Sequence, residues 1–273
     1  MYAQVRTLWA SREGNDLREY EDAFFPQAEN QCRRAQSELL RTAVADGASR
    51  GALGREWAQL LTTAFGESKV TSLRFLTEVA LKQWGDAYEE FHNAKLAASS
   101  NEVVKWHTAN KLERGAAATF VMFEAWQGDG RNGGRWHVEV LGDCCLFFAS
   151  ECRQDNDGKC MWESFPFTTA AEIDGSPDLL STQASATNAD ALAAVQRTNG
   201  TWSTDSRFFL ATDEMARWVL TSALSGVDPW PTLCGLADVT LDEFRAWASS
   251  RRASGEMKND DLTLQSIILG GAT

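Results

Sequence analysis

Apolar positions along this chain change period several times, and each change marks an element. Ala3 to Trp9 and Tyr20 to Phe25 are strand-length apolar stretches, and the polar run Arg12 to Asp16 between them predicts a turn. Arg41 to Ala45 predicts a short strand that stops at Asp46-Gly47. Leu53, Trp57, Leu60, Leu61, Ala64 and Phe65 then follow helical spacing. Leu73, Leu76, Ala80, Trp84, Ala87 and Phe91 continue it on a second, longer helix, so each helix has one apolar face turned to the core. From Ala117 the period returns to that of strands. Ala117 to Trp126, Arg135 to Leu141, Cys144 to Ser150 and Cys160 to Phe165 form a series, followed by Arg207 to Thr212. A helix carrying Met215, Trp218 and Val219 starts at Asp213, and Thr240 with Glu243 has the spacing of a capping box for a helix through Trp247. Leu262 to Leu269 closes the series as a strand. Strands, two long helices, more strands and late helices describe an α+β fold in which helices cover an antiparallel core.

No repeat or linker divides residues 1–273, so one domain is expected. The glycine-rich segments Gly128 to Gly134 and Asp155 to Gly158 predict hairpin turns, and Ser176 to Thr204 predicts a mobile surface flap. The glycines at 128–134 lack the strand-then-helix setting of a nucleotide loop. With 26 Lys+Arg against 38 Asp+Glu the net charge is −12, which repels phosphate backbones and argues against nucleic acid as a partner. No apolar run reaches membrane-spanning length, and the first residues lack the basic-then-apolar order of a secretory signal. The expectation is a soluble cytoplasmic protein.

Six cysteines fit that compartment as reduced, mostly buried thiols. A zinc site from Cys144, Cys152 and Cys160 is the alternative, though no paired Cys-x-x-Cys spacing supports it. Cys144 and Cys145 belong on opposite faces of a strand. His92, His107 and His137 have the spacing of structural or surface residues, and no Gly-x-Ser-x-Gly elbow or Cys–His pair points to a nucleophilic enzyme.

The informative pattern is where carboxylates fall. Glu21 and Asp22 lie in an expected strand, Asp46 ends another, and Asp143 sits in a Gly-Asp turn between two. Asp213 ends an apolar strand, and Asp260-Asp261 precede the last. Each alone is an ordinary solvated group. Brought together they would repel one another unless cations intervened, and oxygen-only ligands favour Mg²⁺ or Mn²⁺ over zinc.

The segments EYEDAF (Glu19 to Phe24), VADGAS (Val44 to Ser49), AATF (Ala117 to Phe120), LGDCCLF (Leu141 to Phe147), FLATDEMARWVL (Phe209 to Leu220) and KNDDLTL (Lys258 to Leu264) occur in that order. In this order and spacing the chain resembles the metal-dependent protein phosphatases of type 2C, especially their compact bacterial branch. The resemblance runs from about Gly14 to Ile268. It implies a four-layer αββα sandwich, two antiparallel sheets flanked by helices, with a two-metal cleft at one end. It further implies that Asp46 bridges two Mn²⁺ or Mg²⁺ ions, that the Gly47 carbonyl serves one, and that Asp213 and Asp260 complete the first site. By the same resemblance Glu21 serves the second ion, Asp22 orients a metal-bound water, and Asp143 helps Asp213 hold a weaker third ion. The implied activity is hydrolysis of phosphoserine and phosphothreonine in protein substrates, opposite a cognate kinase.

Two positions depart from the family pattern. Many members carry a His two residues after the bridging Asp, where this chain has Ala48. The family's phosphate-binding Arg falls here on Leu17, and Arg18 stands one place later, which on a strand faces the other way. Arg18 is nevertheless the candidate phosphate contact. These departures motivate a second reading, a catalytically weak pseudophosphatase acting as a phosphoprotein-binding regulatory module. A two-metal hydrolase of small phosphorylated metabolites is a third, because fold does not fix substrate.

Overall fold

The computed structural model describes residues 1–15, 19–27, 33–36, 38–48, 53–97, 115–128, 133–149, 160–173, 175–183, 185–204 and 206–270. The elements are β1 (Tyr2–Ala10), β2 (Ala23–Phe25), β3 (Arg33–Gln36), β4 (Leu39–Gly47), α1 (Gly54–Glu67), α2 (Leu73–Ala97), β5 (Ala117–Gln127), β6 (Gly133–Leu141), β7 (Cys145–Ala149) and β8 (Glu163–Phe165). They continue with β9 (Leu180–Ser181), α3 (Ser185–Ala193), β10 (Gln196–Ser203), β11 (Ser206–Ala211), α4 (Asp213–Leu224), α5 (Trp230–Leu236), α6 (Leu241–Ala253) and β12 (Leu262–Gly270). One sheet has the order β3-β1-β12-β11-β7-β8, the other β10-β6-β5-β4-β2 with β9 beside β5, and all the pairings are antiparallel.

Alternation along the strands builds three cores from two sheets. Val44, Val121, Phe123, Val138, Leu146, Phe208, Leu210 and Ile267 point between the sheets. Their neighbours point outward: Ala43, Ala45, Phe120 and Met122 meet Trp57, Leu61, Phe65 and Leu76 of α1 and α2. On the far side Phe147, Phe209, Ala211 and Leu264 meet Met215, Val219, Leu233 and Phe244 of α4, α5 and α6. Strands buried on both faces have no polar face to show, which is why Phe208 to Ala211 is apolar throughout. The four-layer α+β sandwich is therefore as expected. Cys144 and Cys145 divide between the inter-sheet core and the helix-covered core.

Several boundaries differ from the sequence reading. The strand expected over 20–25 is only β2, because the backbone at Glu21 bonds elsewhere: its N–H donates to Asp261 Oδ2 (2.9 Å) and its carbonyl accepts from Gly47 N (3.3 Å). Strand β4 does not stop before Asp46-Gly47 but carries both in its ladder, opposite Thr119 and Ala118. The segment expected to be a flap holds β9, α3 and β10, anchored by the buried Leu180, Ala191, Val195 and Trp202. Strand β8 is shorter than expected, and β3 and α5 were not foreseen. The expected turn at 155–158, Cys32, Cys152 and His107 lie outside the described residues. No helix among the described residues is long and apolar enough to cross a membrane.

Candidate metal centre

At one end of the sandwich, β4 and the β2 approach from one sheet face the ends of β11 and β12 from the other. Asp46 stands two residues beyond Val44, so it shares that residue's direction, toward the opposite sheet. Gly47 follows where no side chain fits. A Cβ there would lie 2.6 Å from the Gly54 carbonyl carbon and 2.7 Å from the Glu21 carbonyl oxygen. This close approach brings the start of α1 and the Glu21 backbone against the end of β4.

Asp22 is 2% exposed, yet its carboxylate is not bare. Its Oδ2 accepts from the Thr212 hydroxyl (3.0 Å) and the Thr263 hydroxyl (2.7 Å). Thr263 also meets the Tyr20 hydroxyl. Since the Thr263 proton goes to Asp22, Tyr20 is the donor in that contact. Thr212 in turn accepts from Thr263 N (3.0 Å) and is the N-cap residue of α4, whose first residue is Asp213.

Asp143 occupies the turn after Gly142, whose φ of +85° suits glycine. The turn tucks Asp143 to 7% exposure and leaves its Oδ1 buried without a hydrogen-bond partner. Asp260 and Asp261 divide their tasks. Asp261 accepts from the backbone N–H groups of Arg12 and Glu21, both at 2.9 Å, and so staples two loops to the start of β12. Asp260 faces outward and pairs with the Arg12 Nε at 2.8 Å, while another nitrogen of the same guanidinium lies 3.7 Å from Glu21. Arg217 stands on the other flank, 2.9 Å from Glu214 and 3.7 Å from Asp213.

These groups feel one another strongly. Burial first, then the charges of Asp22, Asp213 and Asp143, raises the Asp46 pKa well above the usual carboxylate range. Asp22 is raised likewise by burial, Asp261 and Asp213. Asp213 is pushed up to about 7 by burial, then by Asp143 and Asp260. Asp143 is raised by burial, and Asp260 adds to it against hydrogen bonds and Arg217. Glu21, Asp22, Asp46, Gly47, Asp143, Asp213 and Asp260 thus gather in one region. Among the described residues, no three carboxylate, imidazole or thiol groups already close into a metal cage. The carboxylates instead take hydroxyls, backbone N–H groups and two guanidiniums as partners.

The chain is 13% identical to the Mycobacterium tuberculosis serine/threonine phosphatase PstP/Ppp, with 99% of this chain and all of that one covered and a TM-score of 0.51. It is 10% identical to a bacterial serine phosphatase, over 98% of each chain, at a TM-score of 0.51. A chain from the bacterial stressosome, a modular system adapted to control secondary messenger signaling, is 15% identical, covering 97% and 98%, at 0.50. The chain has the type 2C phosphatase fold. No protein-family model matches it, and no curated protein matches its sequence.

Ala48 follows Gly47 with its N–H donating to the Ala117 carbonyl (2.8 Å), and its methyl group puts no imidazole at this position. Arg18 lies outside the described residues. The parts that sequence reasoning missed are Thr212 and Thr263 as hydroxyl donors, Asp261 as a staple, and Arg12 and Arg217 as flanking cations. Only Asp261 left a signal, as the second acid of a pair before a strand.

Proposed function

We propose that this chain is a divalent-metal-dependent phosphatase acting on phosphoserine and phosphothreonine in proteins. The observation that carries the reading is the convergence of Asp22, Asp46, Asp143 and Asp213, whose pKa values are raised by burial first and then by neighbouring carboxylates, while Asp143 keeps a buried oxygen unpartnered. A set of oxygen donors under mutual repulsion suits a hard cation that keeps some of its waters. In this reading Asp46, the Gly47 carbonyl, Asp213, Asp260 and Glu21 would hold two Mn²⁺ or Mg²⁺ ions, with Asp46 shared between them, and Asp143 with Asp213 would hold a third. Such ions, when bound, supply positive charge to the phosphoryl oxygens and lower the pKa of coordinated water.

The protein's own groups position and bind. Asp22, whose Oδ2 is fixed by the Thr212 and Thr263 hydroxyls, would orient the attacking water. Arg18 is proposed as the phosphate contact, since a guanidinium offers a bidentate fork to a phosphoryl group. Glu21 and Asp260, which pair with Arg12, would give up that pairing to hold an ion. Burial raises the pKa of both Cys144 and Cys145, so these thiols stay neutral and are not the nucleophile. Ala48 supplies no acid to the leaving group, so a good leaving group such as an aryl oxide departs more readily than a serine or threonine alkoxide. The partners are phosphoproteins modified by a serine/threonine kinase.

The second reading, a weak phosphatase serving as a phosphoprotein-binding module, is favoured by Ala48 and by Arg12 pairing with two of the proposed ligands. One experiment separates the two. Turnover of an aryl phosphate and of a phosphothreonine peptide is measured with Mn²⁺, with Mg²⁺ and with chelator. The phosphatase reading expects both substrates to turn over with metal and neither with chelator. Turnover of neither substrate with metal, beside retained binding of the phosphopeptide, selects the module.

A further inference from the structure

A cavity of about 420 Å³ opens beside the acidic cluster, on the seam between the sheets where β1 and β2 approach α1 and α6. Its walls include Trp9, Tyr20, Asp22, Phe24, Arg55 and Arg245. Two guanidiniums thus line one cavity in a chain of net charge −12. Each comes from the N-terminal half of a helix, Arg55 in the first turn of α1 and Arg245 in the second turn of α6.

Arg245 is held in place chiefly by stacking. Its guanidinium lies over the Trp9 ring at 4.3 Å, a stacking contact that fixes the plane and leaves the in-plane N–H groups for other partners. Its ion pair with Asp242 spans 3.7 Å, and Asp242 is almost fully exposed, so that pair is weak. The acid in the wall does not oppose an anion strongly: Asp22 is nearly inaccessible, and its Oδ2 is occupied by two hydroxyls. Trp9, Tyr20, Phe24 and Leu241 offer apolar surface to the methylene stem of a long side chain, and Gln27 and Gln59 add amides to the wall.

We propose that this cavity is a substrate subsite that takes an acidic side chain next to the phosphorylated residue, with Arg55 and Arg245 as its cations. The proposal rests on the phosphatase reading for its substrate. Asp22 belongs both to the acidic cluster and to the cavity wall, so the cavity lies next to the place where the phosphoryl group of an extended peptide would sit. At about 3.3 Å per residue, a neighbour one to three positions away reaches it. The acidic surface of the whole molecule repels acidic peptides, and the two arginines reverse that field at one place. The subsite therefore confers selectivity among phosphoproteins and does not contribute to the chemical step.

The test uses phosphothreonine peptides flanked by Glu or by Gln, with an aryl phosphate too small to reach the cavity. With Mn²⁺ present, the Glu peptide is expected to show a kcat/KM about tenfold higher, the effect of one or two charge-assisted hydrogen bonds at a partly exposed site. Arg55→Met with Arg245→Met keeps two unbranched side chains of similar reach without their charge and should abolish the preference, leaving aryl phosphate turnover unchanged. Polarisation of fluorescent, unphosphorylated Glu and Gln peptides gives a second readout that needs no turnover. If no substrate is hydrolysed, the phosphatase reading fails, and peptide binding still decides the subsite. Equal binding of Glu and Gln peptides by the wild type overturns the proposal, as does a preference retained by the double variant. Arg245→Lys, which keeps the charge and loses the fork, serves if the double variant fails to fold, and a weakened but persistent preference is then expected.

Discussion

Asp46 concentrates the conflict that the rest of the cluster shares. It lies at the end of a strand whose ladder fixes its direction, and burial, then three further acids, raise its pKa. In the absence of cations its charge works against the fold, and with cations it is the charge both ions would share. Asp46→Asn should therefore have opposite effects on two measurements. Metal-dependent turnover of an aryl phosphate should fall by about 10²–10³-fold, the scale at which a single electrostatic element of a reacting site is felt. The melting temperature of the chelator-treated protein should stay level or rise. A large loss of metal-free stability would show that Asp46 is held by contacts that outweigh the repulsion. Thr263→Val tests the neighbouring arrangement. It removes one of two hydroxyl donors from a buried carboxylate and strands the Tyr20 hydroxyl, so urea unfolding should report a loss of about 1–3 kcal/mol.

At the scale of elements, the capping box at α6 was legible from spacing alone and is present with both reciprocal bonds: Thr240 Oγ1 accepts from Glu243 N (3.3 Å), and Glu243 Oε2 accepts from Thr240 N (2.7 Å). Thr240→Ala should cost about 1 kcal/mol in a denaturant titration. Other elements were legible for equally local reasons. Phe208 to Ala211 is apolar at every position because both of its faces are covered, and Leu73 to Phe91 keeps a single helical face. What stayed hidden was set by distant partners. Arg33–Gln36 forms β3 by pairing with β1, which its polar sequence does not announce, and α5 is too short for its period to register. The Ser, Thr and Ala of 176–204 mask widely spaced anchors such as Leu180 and Trp202. The same limit governs the site. Carboxylates at strand ends could be seen as a group, but Asp260 and Asp261 differ only in which backbone N–H groups and which guanidinium reach them across more than two hundred residues.

For the whole molecule, the raised carboxylates couple stability to pH and to metal. Asp213 titrates at about 7 in the folded chain against the ordinary 3.8, with burial and then Asp143 and Asp260 as causes, and Asp22, Asp46 and Asp143 are raised in the same direction. A raised acid binds its proton more tightly when folded. Its stabilising contribution is thus complete below the unfolded pKa and is lost as pH rises toward and through the folded one. In chelator, these groups should make the melting temperature fall between about pH 4 and pH 7. For Asp213 the loss levels off above that. A divalent cation reverses the sign of the argument, because it binds the deprotonated cluster and adds stability by mass action to the folded state alone. The rise in melting temperature on adding Mn²⁺ or Mg²⁺ should therefore be small at pH 5 and larger at pH 8, and Asp213→Asn should flatten both the metal-free pH dependence and the metal response. Thermal melts over a grid of pH and metal concentration read all three quantities without any turnover. A metal-induced shift that is the same at pH 5 and pH 8 would mean that the ions bind elsewhere than at these buried carboxylates.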